Sequence, residues 1–186
     1  RPLLSWLRLS VKLTINEGLF VLTELAYLGA DFQPLLSQLQ QRYLQLLAEV
    51  AGVSDARRQQ VQTLINSQIQ QLGWQLQGMS LLKFCPDHIK AQILGLGEQF
   101  SVALMTDVQA LDSVKLVKSQ GDFLNATADV AATAVGVDAA MAANPASVYV
   151  MAGFVSSNAQ GETALLGRNG SDYSAAVITA AIKASA

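Results

Sequence analysis

Apolar residues recur at three- and four-residue steps through most of the first eighty positions. That is the spacing of one face of an α-helix. Leu22, Leu25, Ala26 and Leu28 predict a helix over Glu17–Gly29, ended by Gly29-Ala30-Asp31. Leu35, Leu39, Tyr43, Leu46, Leu47 and Val50 predict a second helix from Pro34 to Val50, with the proline in its first turn. Ser54-Asp55 offers a cap for a third, whose stripe runs Val61, Leu64, Ile65, Ile69, Leu72, Leu76 and Met79. Its polar face is rich in glutamine (Gln59, Gln60, Gln62, Gln68, Gln70, Gln71, Gln75, Gln77). It lacks the charged flanks of a coiled coil, and the stripe is short for one. Pro86 to Leu94 predicts a short helix, Gly95-Leu96-Gly97 interrupts it, and Glu98 to Val108 resumes the spacing.

Beyond this point the pattern changes. Lys115–Lys118 and Leu124–Val130 read as short strands, and Ala131–Ala143 as an alanine-rich helix stopped by Asn144-Pro145. Val148–Phe154 has the length and β-branched content of a buried parallel strand, and Ser174–Ala184 is a small-residue helical run. Helices first and strands later predict an α/β domain with a helical excursion at about 34–82. No internal repeat is evident.

Composition narrows the function classes. With 186 residues, 51% hydrophobic and 14% charged, the chain is long and apolar enough for a substantial core. A net charge of -2 gives nucleic-acid binding no electrostatic support. Cys85 is the only cysteine and His88 the only histidine, which excludes an intrachain disulfide and a Cys/His zinc site. This is compatible with a reducing cytoplasm. Arg8 and Glu17 interrupt the apolar runs near the start, so neither a membrane span nor a signal peptide is expected. Arg1 rather than Met begins the sequence, as in a piece of a longer protein or a processed one. Trp6 and Trp74 read as packing residues, His88 as a surface or capping residue, and Cys85 has no activating base beside it in sequence.

The richest chemistry lies in Leu165-Leu166-Gly167-Arg168-Asn169-Gly170-Ser171-Asp172-Tyr173-Ser174. A glycine-flanked turn there carries a guanidinium, a carboxylate and backbone N–H groups at a helix start. Helix N-termini favour anions, and arginine can hold a carboxylate through two parallel hydrogen bonds. Asp172 suits such a place if the ligand carries both signs, as an amino acid does, or if phosphoryl transfer occurs there. The plainer alternative is a loop and helix cap made of residues that suit turns. Gly95-Leu96-Gly97 is too short to be a dinucleotide loop.

Several segments together resemble aspartate kinases of the amino acid kinase superfamily. They are Leu166 to Ala176; Val150-Met151-Ala152-Gly153-Phe154 with Asn158-Ala159-Gln160-Gly161-Glu162; Gly78-Met79-Ser80-Leu81-Leu82 with Cys85-Pro86-Asp87, Gly97-Glu98, Ser101 and Leu104-Met105; and Gly121-Asp122-Phe123-Leu124 with Asp129. Asn169 and the Leu-Leu…Cys-Pro-Asp run are most similar to the kinase portion of bifunctional aspartokinase/homoserine dehydrogenases. The resemblance covers about Leu72 to Lys183.

The resemblance implies an incomplete three-layer αβα sandwich of the amino acid kinase type, without a regulatory or dehydrogenase domain in this chain. It implies transfer of the ATP γ-phosphoryl, with Mg, to the side-chain carboxylate of L-aspartate, in the cytoplasm and in a full-length parent that is a homo-oligomer. Glu98 would meet the substrate's α-amino group and Arg168 a substrate carboxylate, with Asn169, Gly170 and Ser171 nearby. Asp172 would organise the catalytic centre. Leu9 to Asn16 is what corresponds to a Ser-Ala…Lys-x-Thr-Asn segment, making Ser10 and Thr14 candidate substrate contacts. The family's Lys-Phe-Gly-Gly turn does not occur in the sequence, and the chain is shorter than the family between Met105 and Asp112. Ala186 precedes the family's adenine and ribose loop. The leading expectation is a catalytic-domain fragment that does not turn over alone. Two alternatives are a degenerate kinase-like binding module and a related glutamate or acetylglutamate kinase. The pairing of Glu98 with Gly-Arg-Asn-Gly-Ser-Asp disfavours the second.

Overall fold

The computed structural model describes residues 14–105, 108–167 and 169–183. The chain forms two compact units, Arg1–Cys85 and Pro86–Ala186.

The described residues of the first unit form helices α1 (Ile15–Leu28), α2 (Gln33–Glu49) and α3 (Asp55–Leu82). Their apolar stripes meet: Leu22 and Ala26 of α1, Leu39 and Tyr43 of α2, and Ile65, Leu72 and Leu76 of α3 are all buried. The helix ends follow from side chains. Thr14 and Glu17 form a reciprocal capping box at the start of α1, and Gly29 closes it in the left-handed conformation at φ 72°. The Ser54 hydroxyl accepts the Arg57 N–H at the start of α3. The Arg58 guanidinium donates to the carbonyls of Leu47 and Val50, at the C-terminal end of α2. Trp74 departs from its expected packing role and is 68% exposed. It points away from the stripe formed by Leu72, Leu76 and Met79. Trp6 and Ser10 lie outside the described residues.

The second unit runs α4 (Asp87–Ala103), β1 (Gln109–Leu111), α5 (Ser113–Leu116), β2 (Lys118–Asp122), β3 (Asn125–Asp129), α6 (Val130–Ala143), β4 (Tyr149–Met151), β5 (Val155–Ser157), β6 (Thr163–Leu165) and α7 (Gly170–Ala181). The α/β class is as expected. Strands β1 and β4 pair in parallel, with Gln109 opposite Tyr149 and Leu111 opposite Met151. The other strands form a mixed sheet in the order β3-β2-β5-β6. Within it β2 and β3 are an antiparallel hairpin, β5 and β6 another, and β2 meets β5 in parallel at Lys118 and Ser157. Helix α6 packs on α7, and α4 packs on β6.

Four local expectations are corrected. Gly95 and Gly97 do not interrupt α4, which is continuous. Both glycines are buried, and Gly95 brings the helix so close to Val155 that a methyl group there would stand 3.3 Å from Val155 Cγ2. Burial against β5 offsets the helix cost of glycine, about 1 kcal/mol. Ser113–Leu116, overlapping the expected strand at Lys115, is a single helical turn because the Asp112 carboxylate accepts the Val114 and Lys115 N–H groups. The expected strand Val148–Phe154 is divided. Only Tyr149–Met151 is β4, it is half-buried, and the chain bends at Gly153 and at Phe154, whose φ is 47°. His88 is half-buried, its ring 5.7 Å from that of Phe123.

Candidate functional site

The bend at Gly153-Phe154 and the start of α7 are built against each other. Strand β6 ends at Leu165, and the Leu166 N–H donates to the Phe154 carbonyl at 2.8 Å. The chain then turns through two left-handed residues, Gly167 at φ 77° and Asn169 at φ 55°. Asparagine tolerates this conformation better than most side chains. The Gly170 N–H reaches back to the Gly167 carbonyl at 3.1 Å, and α7 begins.

Three glycines let the chains approach. A Cβ on Gly153 would stand 2.8 Å from Ser171 Oγ and 3.2 Å from Ser171 Cα. One on Gly170 would stand 2.5 Å from Phe154 Cβ, and one on Gly167 would run into the Asn125 side-chain amide. A hydroxyl completes the joint: Ser174 Oγ accepts the Phe154 N–H and donates to the Gly170 carbonyl, each at 2.7 Å. One turn of α7 also reaches β3, where the Tyr173 hydroxyl accepts the Ala128 N–H at 3.2 Å.

Of the residues singled out in the sequence, Asn169, Gly170, Ser171 and Asp172 are thus contiguous at the start of α7. Asn169 occupies the N-cap position of α7 without a side-chain cap bond. Gly170 is buried, and Ser171 and Asp172 face solvent in the first helical turn, where a helix presents its N–H groups. Helix α7 begins four residues earlier than the expected Ser174, which makes Ser171 and Asp172 helical. Arg168 lies outside the described residues. Glu98 is half-buried on α4, one turn past Gly95 and therefore on the same face as the contact with Val155. Thr14 belongs to the first unit. Its hydroxyl donates to Glu17 Oε2 at 2.8 Å and its backbone N–H donates to the same oxygen at 2.7 Å. These bonds, the backbone one foremost, hold the Glu17 carboxyl below its ordinary pKa. Sequence reasoning did not identify Ser174 as part of the joint. Its spacing of four from Gly170 is the signal, but it has meaning only once Phe154 is opposite.

The model of the amino acid kinase family matches residues 38–186, and the chain belongs to that family. A bifunctional aspartokinase/homoserine dehydrogenase of Buchnera aphidicola is 33% identical over 152 residues, which is 76% of this chain and 18% of that protein. The one from Haemophilus influenzae is 40% identical over 107 residues, 53% of this chain and 13% of that protein. The chain therefore spans less than a fifth of the length of these relatives. Aspartokinase III of Escherichia coli, crystallised with lysine and aspartate, superimposes with a TM-score of 0.78 at 22% identity. That match covers 92% of this chain and 39% of the other. The same enzyme with aspartate and ADP gives 0.76, covering 92% and 38%.

Proposed function

We propose that this chain is the amino-acid-binding part of an aspartate kinase, in which the first turn of α7 receives L-aspartate. The observation that carries the reading is the close joint of Gly153-Phe154 with Gly167–Ser174, which holds Ser171 and Asp172 at an exposed helix start. The relatives' printed activity, and the aspartate in the crystals of the similarly folded enzyme, support it.

In this reading a side-chain carboxylate oxygen of aspartate attacks the γ-phosphorus of ATP. The new O–P bond forms as the bond to the β-phosphate oxygen breaks, giving an acyl phosphate and ADP. The carboxylate is already ionised at neutral pH, so no general base is needed. The protein's task is to hold two anions close and neutralise charge. Arg168 would take one carboxylate of the substrate, the Gly170 and Ser171 region the adjacent oxygens, and Glu98 the ammonium group. Asp172 would organise charge during transfer. Among the described residues no three Asp, Glu, His or Cys side chains gather to hold an ion. Mg2+ would arrive with the phosphates of ATP, as it commonly does.

The acyl phosphate belongs to the entry of lysine, threonine and methionine synthesis. We place the protein in the cytoplasm, with a full-length parent that is a homo-oligomer. Among the described residues no helix is long and apolar enough to cross a membrane. The polypeptide alone should bind L-aspartate without turning it over, because the sequence contains no Lys-Phe-Gly-Gly turn. Losing one preorganised charge from such a site costs on the order of a hundred-fold in rate. Calorimetric titration with L-aspartate, D-aspartate and L-glutamate, beside a hydroxamate assay with Mg-ATP, tests the reading. Heat of binding for L-aspartate alone, with no hydroxamate formed, is expected. No heat with any of the three would contradict it.

A further inference from the structure

We propose that Ser174 is a positioning residue for the amino-acid site, resting on the reading above: one buried hydroxyl sets where Ser171 and Asp172 stand. A serine inside a helix commonly bonds the carbonyl four residues back and does nothing else. Ser174 does that with Gly170, but its oxygen also accepts the N–H of Phe154 from another segment. Phe154 lies where β4 has ended and β5 has not begun, so its N–H lies outside the strand ladders. Ser174 is buried at 5% exposure, and both of its bonds are short.

The two bonds bracket the candidate ligand groups. One ends on Gly170, the first residue of α7, and the other on Phe154, next to the glycine that touches Ser171. Contacts here leave no slack. The positions of Cβ atoms on Gly153 and Gly170 are already occupied by Ser171 and Phe154. When the Ser174 hydroxyl is removed, Phe154 must turn its N–H towards another acceptor. That rotation moves Gly153 against Ser171, so the first turn of α7 shifts as a body. Ser174 touches no ligand in this account; it acts through Ser171 and Asp172.

Ser174→Ala, Ser174→Thr and Thr133→Val in the 186-residue chain separate positioning from mere stability. Thr133 is the matched control, because its buried hydroxyl also accepts a backbone N–H, that of Lys118, at 3.0 Å. Calorimetry should show Ser174→Ala binding L-aspartate at least tenfold more weakly, with Ser174→Thr within threefold of the parent. Thr133→Val should lose comparable urea resistance and keep its affinity within twofold. Unchanged affinity in a folded Ser174→Ala chain, or an equal loss in Thr133→Val, overturns the proposal. If Ser174→Ala does not fold, Ser174→Cys replaces it, keeping the shape with a weaker donor and acceptor. If the parent chain binds no L-aspartate, the reading of the site fails, and amide NMR still decides the role of Ser174. Replacement should then move the Ser171 and Asp172 resonances and speed exchange of the Phe154 N–H. Unmoved resonances would overturn it.

Discussion

Gly153 lies so close to Ser171 that a methyl group added to it would stand 2.8 Å from Ser171 Oγ and 3.2 Å from Ser171 Cα. The second distance matters more, because a backbone atom cannot swing aside as a hydroxyl can. Gly153→Ala should therefore push the first turn of α7 outward. Overpacking of this kind costs typically 1–3 kcal/mol in stability. The affinity for L-aspartate should fall about tenfold, the equivalent of 1.4 kcal/mol. Urea unfolding and calorimetry on the same variant check both figures.

A contrasting pair of glycines tests how far burial decides these outcomes. Gly78, within α3, has nothing within 4 Å of a would-be Cβ. Gly78→Ala should stabilise by about 0.5–1 kcal/mol through helix propensity and the loss of unfolded-state freedom. Gly95→Ala gains the same propensity but meets Val155 at 3.3 Å. Val155 is fully buried and stiff at χ1, so the gain should be cancelled. Urea midpoints that rise equally in both variants would show that the contact with β5 is looser than described.

How much of this was legible in the sequence depends on which interactions decide each element. Helices α1, α2 and α3 were visible because their stripes and caps are local. Gly29 and Ser54 marked ends that the structure keeps. The continuity of α4 was not visible: Gly95 reads as a breaker until Val155 is placed against it. The division of Val148–Phe154 was hidden for a similar reason, since Phe154 adopts a positive φ only under the joint with Leu166, Gly170 and Ser174. The candidate site was legible as a turn with charges and a helix start, and the resemblance singled out its residues. What the sequence could not supply was the joint beneath it, because Gly153 and Ser174 are 21 positions apart.

Acid should loosen the start of α1. The Glu17 carboxyl is lowered chiefly by the Thr14 backbone N–H and then by its hydroxyl. A depressed carboxyl contributes stability above its unfolded pKa and loses that contribution as pH falls through the folded value. Thr14→Ala removes the hydroxyl's share of the box and leaves the backbone bond. The difference in helicity between parent and variant should be largest at neutral pH and shrink below about pH 4, where a glutamate in an unfolded chain is protonated. Circular dichroism across pH 2–7 measures it. A difference that grows in acid would contradict the assignment of the bond.

Association is expected of the isolated polypeptide. Among the described residues β1 and β4 pair only with each other, three residues a side. Parallel strands are normally covered and flanked, and an open edge invites pairing with another chain. Light scattering after size exclusion should find oligomers, with broad thermal unfolding. A clean monomer with one sharp transition would contradict this.

L-aspartate, in the proposed function, sits on the first turn of α7. The most direct test is titration of the isotope-labelled chain with L-aspartate, followed by amide NMR. Saturable shifts concentrated at Gly167–Tyr173, with a further response at Glu98, are expected, all abolished by Arg168→Ala. Shifts confined to residues elsewhere, or saturable shifts that persist in Arg168→Ala, would contradict it.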